Sequence, residues 1–277
     1  MLLKKLRVIP HVVIDAVLYP TLRVFLWLFL SVGLLAGCAH YPVNQSLEQY
    51  SPNSGYRLRN MGTPDNSESL LLVLTFSGGG TRAASFSYGL LEELAKTHVS
   101  IDGKKRRLMD EVDIMSGVSG GSFTAAYYGM FGDRIFKDYE LRFLKKNIQG
   151  VLLARKFLYI PNWFRLFSAN FAASDIAAEY YDKHVFDGGT FGDILARGGP
   201  AIIINATDMT EGTTFPFVQE SFDRICSDIL GYPVARATAA SSAVPVVLSP
   251  ITLRNYAGTC GYSPEWIRAA LQERDTR

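Results

Sequence analysis

The sequence predicts an α/β fold with a mostly parallel central sheet flanked by helices, and two stretches carry that expectation. Leu70-Leu-Leu-Val-Leu-Thr-Phe76 is a continuous apolar run, the pattern of a strand buried on both faces. It passes into a glycine loop, Ser77-Gly78-Gly79-Gly80-Thr81-Arg82. A helical pattern follows, with Phe86, Leu90 and Leu94 on one face and Glu92, Glu93 and Lys96 on the other. A second unit repeats this order. A short strand from Asp113 meets Gly117-Val118-Ser119-Gly120-Gly121, and a helix opens at about Ser122.

The totals bound what this fold can serve. The chain has 277 residues, 48% hydrophobic, with a formal charge of +2. That is enough for one domain with a sizeable core plus an N-terminal extension. The near-neutral balance gives no argument for nucleic acid. No Cys or His cluster has metal-ligand spacing, and no cofactor is implied.

The two glycine loops carry the chemistry. Gly117-Val118-Ser119-Gly120-Gly121 fits Gly-x-Ser-x-Gly, the pattern of a nucleophile elbow that holds a serine hydroxyl at a strand-to-helix turn. The bland alternative is an ordinary Gly/Ser loop. The loop Gly78–Arg82 lies between a strand and a helix N-terminus, where free backbone N–H groups and the helix dipole favour an anion. That anion is a phosphate or the oxyanion of an acyl intermediate, and a serine elbow one unit later favours the oxyanion. A nucleotide site is disfavoured, because neither Gly-x-x-x-x-Gly-Lys-Ser/Thr nor a full Gly-x-Gly-x-x-Gly is present.

Together, Ser77-Gly-Gly-Gly-Thr-Arg82 and Gly117-Val-Ser-Gly-Gly121 resemble the patatin-like phospholipases. Ile202-Ile-Ile-Asn-Ala-Thr-Asp208 and Ala237-Thr-Ala-Ala-Ser-Ser-Ala-Val-Pro245 resemble later segments of the same family, so the likeness runs from about Leu70 to Pro250. The resemblance implies a patatin-like fold, Ser119 as nucleophile, and Gly78, Gly79, Gly80, Thr81 and Arg82 as the oxyanion hole. It also implies phospholipid or other acyl-ester substrates. Ala83 and Ala84 stand where many members keep a glycine. The family pairs its serine with an aspartate in an Asp-Gly-Gly or Asp-Gly-Ala motif placed after the Ala/Ser-rich segment. Here Asp187-Gly188-Gly189 comes before Ile202, so Asp187 reads as a turn residue. No such motif follows Pro245, and the domain reads as C-terminally incomplete relative to the family.

The remaining stretches divide the chain into three parts. Residues 1–37 read as a lipoprotein signal peptide. Lys4, Lys5, Arg7 and Arg23 precede an apolar run from Val24 to Leu35, and Leu35-Ala-Gly-Cys38 resembles a bacterial lipobox with Cys38 as the lipidated residue. The rival is an uncleaved anchor, which His11, Asp15 and Arg23 argue against. Ala39 implies the outer membrane, so the expectation is an exported, membrane-tethered lipoprotein. Residues 38–69, rich in Pro, Asn, Ser and Gly, read as a linker, and residues 70–277 as the domain.

Within the domain, Val99–Leu108 reads as a charged, solvated loop and Asp133–Gln149 as an amphipathic surface helix. Val151–Phe171 carries Leu153, Phe157, Trp163 and Phe164 beside Arg155, Lys156 and Arg165. It reads either as an apolar cap for acyl chains or a membrane, or as helices packed on the sheet, and the second is favoured. Ser174-Asp-Ile-Ala-Ala-Glu179 reads as a capped helix start, and Thr190 opens a short helix. Cys226 and Cys260 suit a disulfide in an exported protein. His98 and His184 do not follow the chain order of a hydrolase triad. Two functions remain: a membrane-tethered serine acyl hydrolase acting on lipid esters, or a truncated, catalytically inactive relative without the dyad aspartate.

Overall fold

The computed structural model describes residues 44–63, 66–166, 171–244, 248–266, 268, 269 and 272. The apolar N-terminal run, Cys38 and Pro245 lie outside these residues, as do the side chains of Lys156 and Phe164.

The first described stretch corrects the linker expectation. Gln45–Ser46 (β1) pairs antiparallel with Ser227–Asp228. Tyr56 is fully buried; its hydroxyl donates to the Ile202 carbonyl at 2.9 Å and accepts the Ile202 N–H at 3.2 Å. Buried Arg57 pairs with Asp223 at 2.8 Å. A Cys226–Cys260 disulfide, with 5.5 Å between Cα atoms, fastens the same corner. The polar residues here form turns: Asn60 Nδ2 donates to the carbonyls of Asn53 and Gly55, and Arg57 Nε to that of Ser54. From Asn44 onward this segment is a strap folded onto the domain.

The two strand–loop–helix units are as expected. Leu72–Phe76 (β2) leads to Gly80–Lys96 (α1), and a hairpin of His98–Ile101 (β3) and Lys104–Arg107 (β4) follows. Val112–Val118 (β5) runs parallel to β2, with Phe76 opposite Gly117, and opens Gly120–Phe131 (α2). Ile135–Tyr139 (α3) continues into a π-helical turn, Glu140–Leu144. Next come Ile148–Phe157 (α4), Ile160–Leu166 (α5), Ala173–His184 (α6) and Phe191–Arg197 (α7). Ala201–Asp208 (β6) is parallel to β5, with Val118 opposite Asn205, and Thr213–Pro216 (β7) is antiparallel to β6. Gln219–Asp223 (α8), Ser227–Asp228 (β8) and Val234–Ser241 (α9) follow. The sheet order is β2-β5-β6-β7. Phe76, Val118 and Asn205 lie together at the carboxyl ends of its parallel strands, where open α/β sheets place their sites.

Several local expectations change. Among the described residues one face of β2 is open: Leu74 and Phe76 are buried, while Val73 and Thr75 on the other face, and Leu71 before the strand, are exposed. On α1 the buried face is Ala84, Ser87, Tyr88 and Leu91, and Phe86 is 80% exposed. The close approach of α2 sets this choice: Thr124 Oγ1 donates to the Ala84 carbonyl at 3.0 Å, which needs a small residue there. The charged stretch at 99–108 is a hairpin whose arginines are engaged, Arg106 with Glu111 and Arg107 with Asp110 and Asp133. The expected surface helix at 133–149 is broken and inserts Ile135, Tyr139 and Phe143 into the core, with Phe143 stacked on Phe123 at 4.4 Å. At α6 the Ser174 cap gives way to Asp175, whose carboxylate accepts the Ala172 N–H at 2.8 Å. Thr190 caps α7 as expected, with Asp193.

Candidate active site

Ser119 lies between β5 and α2 with φ 50° and ψ −120°, a backbone conformation rare for a residue with a side chain. Such strain persists only where neighbours fix it. Ser241, at the end of α9, accepts the Ser119 N–H through Oγ at 2.8 Å and donates to the Asn205 carbonyl at 2.6 Å. On the other side, Ser122 donates its N–H and hydroxyl to the Ser119 carbonyl at 3.0 and 2.6 Å. Asn205 Nδ2 donates to Ser116 Oγ at 2.9 Å and ties β6 to β5 beneath the turn.

The glycines around Ser119 serve close packing. A Cβ on Gly117 would meet Ser122 Cα at 2.7 Å, and one on Gly121 would meet Phe76 Cβ at 2.5 Å. A Cβ on Gly120 would lie 2.0 Å from the Gly80 carbonyl oxygen, so the first turns of α1 and α2 touch. A Cβ on Gly78 would come 3.3 Å from Ser119 Cβ. The predicted oxyanion loop and the predicted nucleophile are therefore in direct contact. Gly79 and Gly80 hold φ 144° and 61°, which a side chain would strain. Gly78, Gly79, Gly80, Thr81 and Arg82 are all exposed beside the half-buried Ser119. The first N–H groups of each helix lack intrahelical partners, so two helix N-termini offer donors and positive dipole ends around one hydroxyl.

Asp187 does not join this cluster. It sits in the turn after α6 at φ 54°, with one carboxylate oxygen 2.7 Å from Arg142 and the other 3.2 Å from Arg134. Burial pushes its carboxyl up, but the two guanidinium groups outweigh that and hold it below the usual carboxylate range. Asp208 ends β6, where its carboxylate accepts the Thr210 N–H at 2.8 Å. His98 is exposed on β3. His184 lies against Arg155 at 3.3 Å; its pKa is lowered by burial and by nearby Arg155, Lys183 and Lys146. Among the described residues no carboxylate is hydrogen-bonded to Ser119. Gly120 and Ser241 are the residues that sequence reasoning missed as parts of the site. Gly120 occupies the free position of the motif, and Ser241 belongs to the Ala/Ser-rich stretch without any feature that separates it from Ser242.

The family described as patatin-like phospholipase matches residues 74–264, which span both glycine loops, Ser119 and Ser241. Neither a curated protein nor a solved structure matches the chain significantly.

Proposed function

This chain belongs to the patatin-like phospholipase family, and from that premise we propose that it is a membrane-tethered serine hydrolase that cleaves lipid acyl esters with Ser119. The observation that carries the reading is the strained Ser119 turn with Gly78 packed against it. In this chemistry Ser119 Oγ attacks the acyl carbonyl. The backbone N–H groups around Gly79 and Gly80 hold the oxyanion, and a single such donor is worth a factor of about 100–1,000 in rate. Arg82, exposed in the first turn of α1, shapes that loop or meets a lipid phosphate. A carboxylate takes the serine proton directly. Asp187 is a poor choice for that role, because both of its oxygens are occupied by arginines.

Labelling with a fluorophosphonate probe tests this, with Ser119→Ala as control. The expected result is labelling that the variant abolishes. A folded protein that does not label supports the second reading, a catalytically inactive relative. What favours that second reading is that no carboxylate meets Ser119 among the described residues.

The tether is the lipid on Cys38, and the location is the outer membrane of a bacterium. Among the described residues no helix is long and apolar enough to cross a membrane. Mass spectrometry of the membrane-extracted protein checks this, with an expected acylated N-terminal cysteine that Cys38→Ala removes.

A further inference from the structure

Among the described residues, the outer side of the α4–α5 hairpin is largely apolar, unlike that of an ordinary surface helix. Ile148 and Leu152 pack against the core. Val151, Leu153, Phe157, Leu158, Tyr159 and Trp163 are exposed, Leu158 to 79%. On α4, Val151 and Leu158 stand on one side and Leu153 and Phe157 on another, so apolar surface wraps most of the helix turned away from the core. This overturns the expectation that these residues are packed on the sheet. The presentation is fixed by hydrogen bonds: Trp163 Nε1 donates to the Phe157 carbonyl at 3.1 Å, and Asn162 Nδ2 to that of Arg155 at 2.9 Å.

The charge on this element has one sign. Between Glu140 and Asp175 the chain carries six Lys or Arg residues and no Asp or Glu. Three of the cations are engaged with carboxylates of neighbouring segments: Arg142 with Asp138 and Asp187, Lys145 with Glu140, and Arg165 with Glu179. Arg155 instead lies over the Tyr180 ring at 5.1 Å and against His184, and Lys146 and Lys183 are exposed. Apolar rings and leucines bordered by cations are the composition of a segment that lies in the headgroup region of a bilayer, with Trp and Tyr at the water boundary. With three cations balanced by those carboxylates, Arg155, Lys146 and Lys183 leave the border net positive, which matches the negative potential of an anionic leaflet.

We propose that the α4–α5 hairpin docks on an anionic phospholipid surface. Leu158 and Trp163 enter the acyl region, and Arg155 and Lys146 meet headgroup phosphates. The proposal needs neither an active Ser119 nor a lipid on Cys38. It does have a mechanical link to the site, because α4 packs on α6, α6 packs on α9, and α9 ends at Ser241.

The test is performed on the full chain reconstituted into vesicles. The chain has three tryptophans, so a Trp27→Phe, Trp266→Phe variant leaves Trp163 as the only one. The vesicles are phosphatidylcholine with brominated acyl chains, alone or with about one-third phosphatidylglycerol. The expected result is a blue-shifted Trp163 emission that the bromines quench, more strongly with phosphatidylglycerol. Leu158→Glu, at a position open to solvent, should lose most of the quenching while the unfolding midpoint stays unchanged. Unquenched Trp163 in both vesicles overturns the proposal. So does equal quenching in both, which removes the anionic component. A blue shift without quenching overturns it as well, by showing that polypeptide, such as a second copy, covers the face. Fluorophosphonate labelling of the same sample reads the hydrolase assignment separately, and either result stands without the other.

Discussion

Replacing Ser119 by glycine should stabilise the protein relative to replacing it by alanine, although both changes remove the hydroxyl. Ser119 holds φ 50° and ψ −120°. A side chain held in such a region costs about 1–3 kcal/mol. Alanine keeps the Cβ and the strain; glycine releases it. Glycine also loses more freedom on folding, which costs about 0.5–1 kcal/mol. The difference leaves glycine ahead by up to about 2.5 kcal/mol, and by about 1 kcal/mol at the middle of both ranges. For a domain of this size each kcal/mol moves the midpoint by about 2–4 °C. The hydrogen bond from the Ser119 N–H to Ser241 is a backbone donation and survives in both variants, so it cancels. Thermal unfolding of the two purified variants at one scan rate reads the difference, and Ser119→Gly should melt several degrees higher. If Ser119→Gly melts below Ser119→Ala, the turn is unstrained and the elbow argument fails.

Gly120→Ala should destabilise by more than the ~1–3 kcal/mol of ordinary overpacking, because its Cβ would sit 2.0 Å from a backbone oxygen. Gly62→Ala, with nothing within 4 Å, is the neutral control in the same urea titration. Ser241→Ala removes two hydrogen bonds, one from the Ser119 N–H and one to the Asn205 carbonyl; the first, which holds the serine turn, is worth about 0.5–1.5 kcal/mol, so the fluorophosphonate labelling rate should fall about 2–12-fold, and Ser241→Thr should recover part of it. Because the folded-state pKa of Asp187 is depressed, its contribution to stability is present above the unfolded carboxylate pKa and is lost as pH falls through the folded value. The gap in urea midpoint between wild type and Asp187→Asn should therefore be largest near neutrality and close in acid. Asp187→Asn should also leave Ser119 labelling intact. Reducing the Cys226–Cys260 bond, which closes a loop of sequence separation 34, should lower stability by about 3–4 kcal/mol and release the 44–63 strap to proteolysis first.

What the sequence made legible was local. The strand, glycine loop and helix of each unit follow from an apolar run, glycines and a period of 3.6, and those are short-range signals. The failures are all tertiary. Nothing within Leu70–Phe76 says that one face of β2 stays uncovered, because an unbroken apolar run reads as burial on both faces. Phe86 and Leu90 formed a plausible apolar stripe, but the contact of α1 with α2 at Ala84 and Thr124 fixed a different rotation. Pro, Asn, Ser and Gly at 44–63 match a flexible linker by composition. The same residues satisfy turns when Tyr56 has a strand to anchor on, and that anchor lies 146 residues away. Ser241 lies farther than any local pattern reaches, since its bond to Ser119 spans 122 residues.

The site also changes what its motif means. Gly-x-Ser-x-Gly is ordinarily read as glycines that permit a sharp turn. Here Gly117, Gly120 and Gly121 keep ordinary φ values, and the positive φ falls on the serine between them. The missing side chains instead let β5 meet α2, α2 meet β2 and the two helix N-termini meet each other. One consequence is electrostatic. The N-termini of α1 and α2 meet beside Ser119, so two helix dipoles stabilise negative charge that appears there more than a neutral ground state. Under the proposed chemistry this applies to the oxyanion of the acyl intermediate and to the serine as it loses its proton. The donors are backbone atoms fixed by glycine packing, so no reorganisation is needed when the charge develops. Substitutions at Gly78, Gly79 or Gly80 should then act mainly on the rate of attack, whereas those at Arg82, an exposed side chain, should act mainly on which lipid is held.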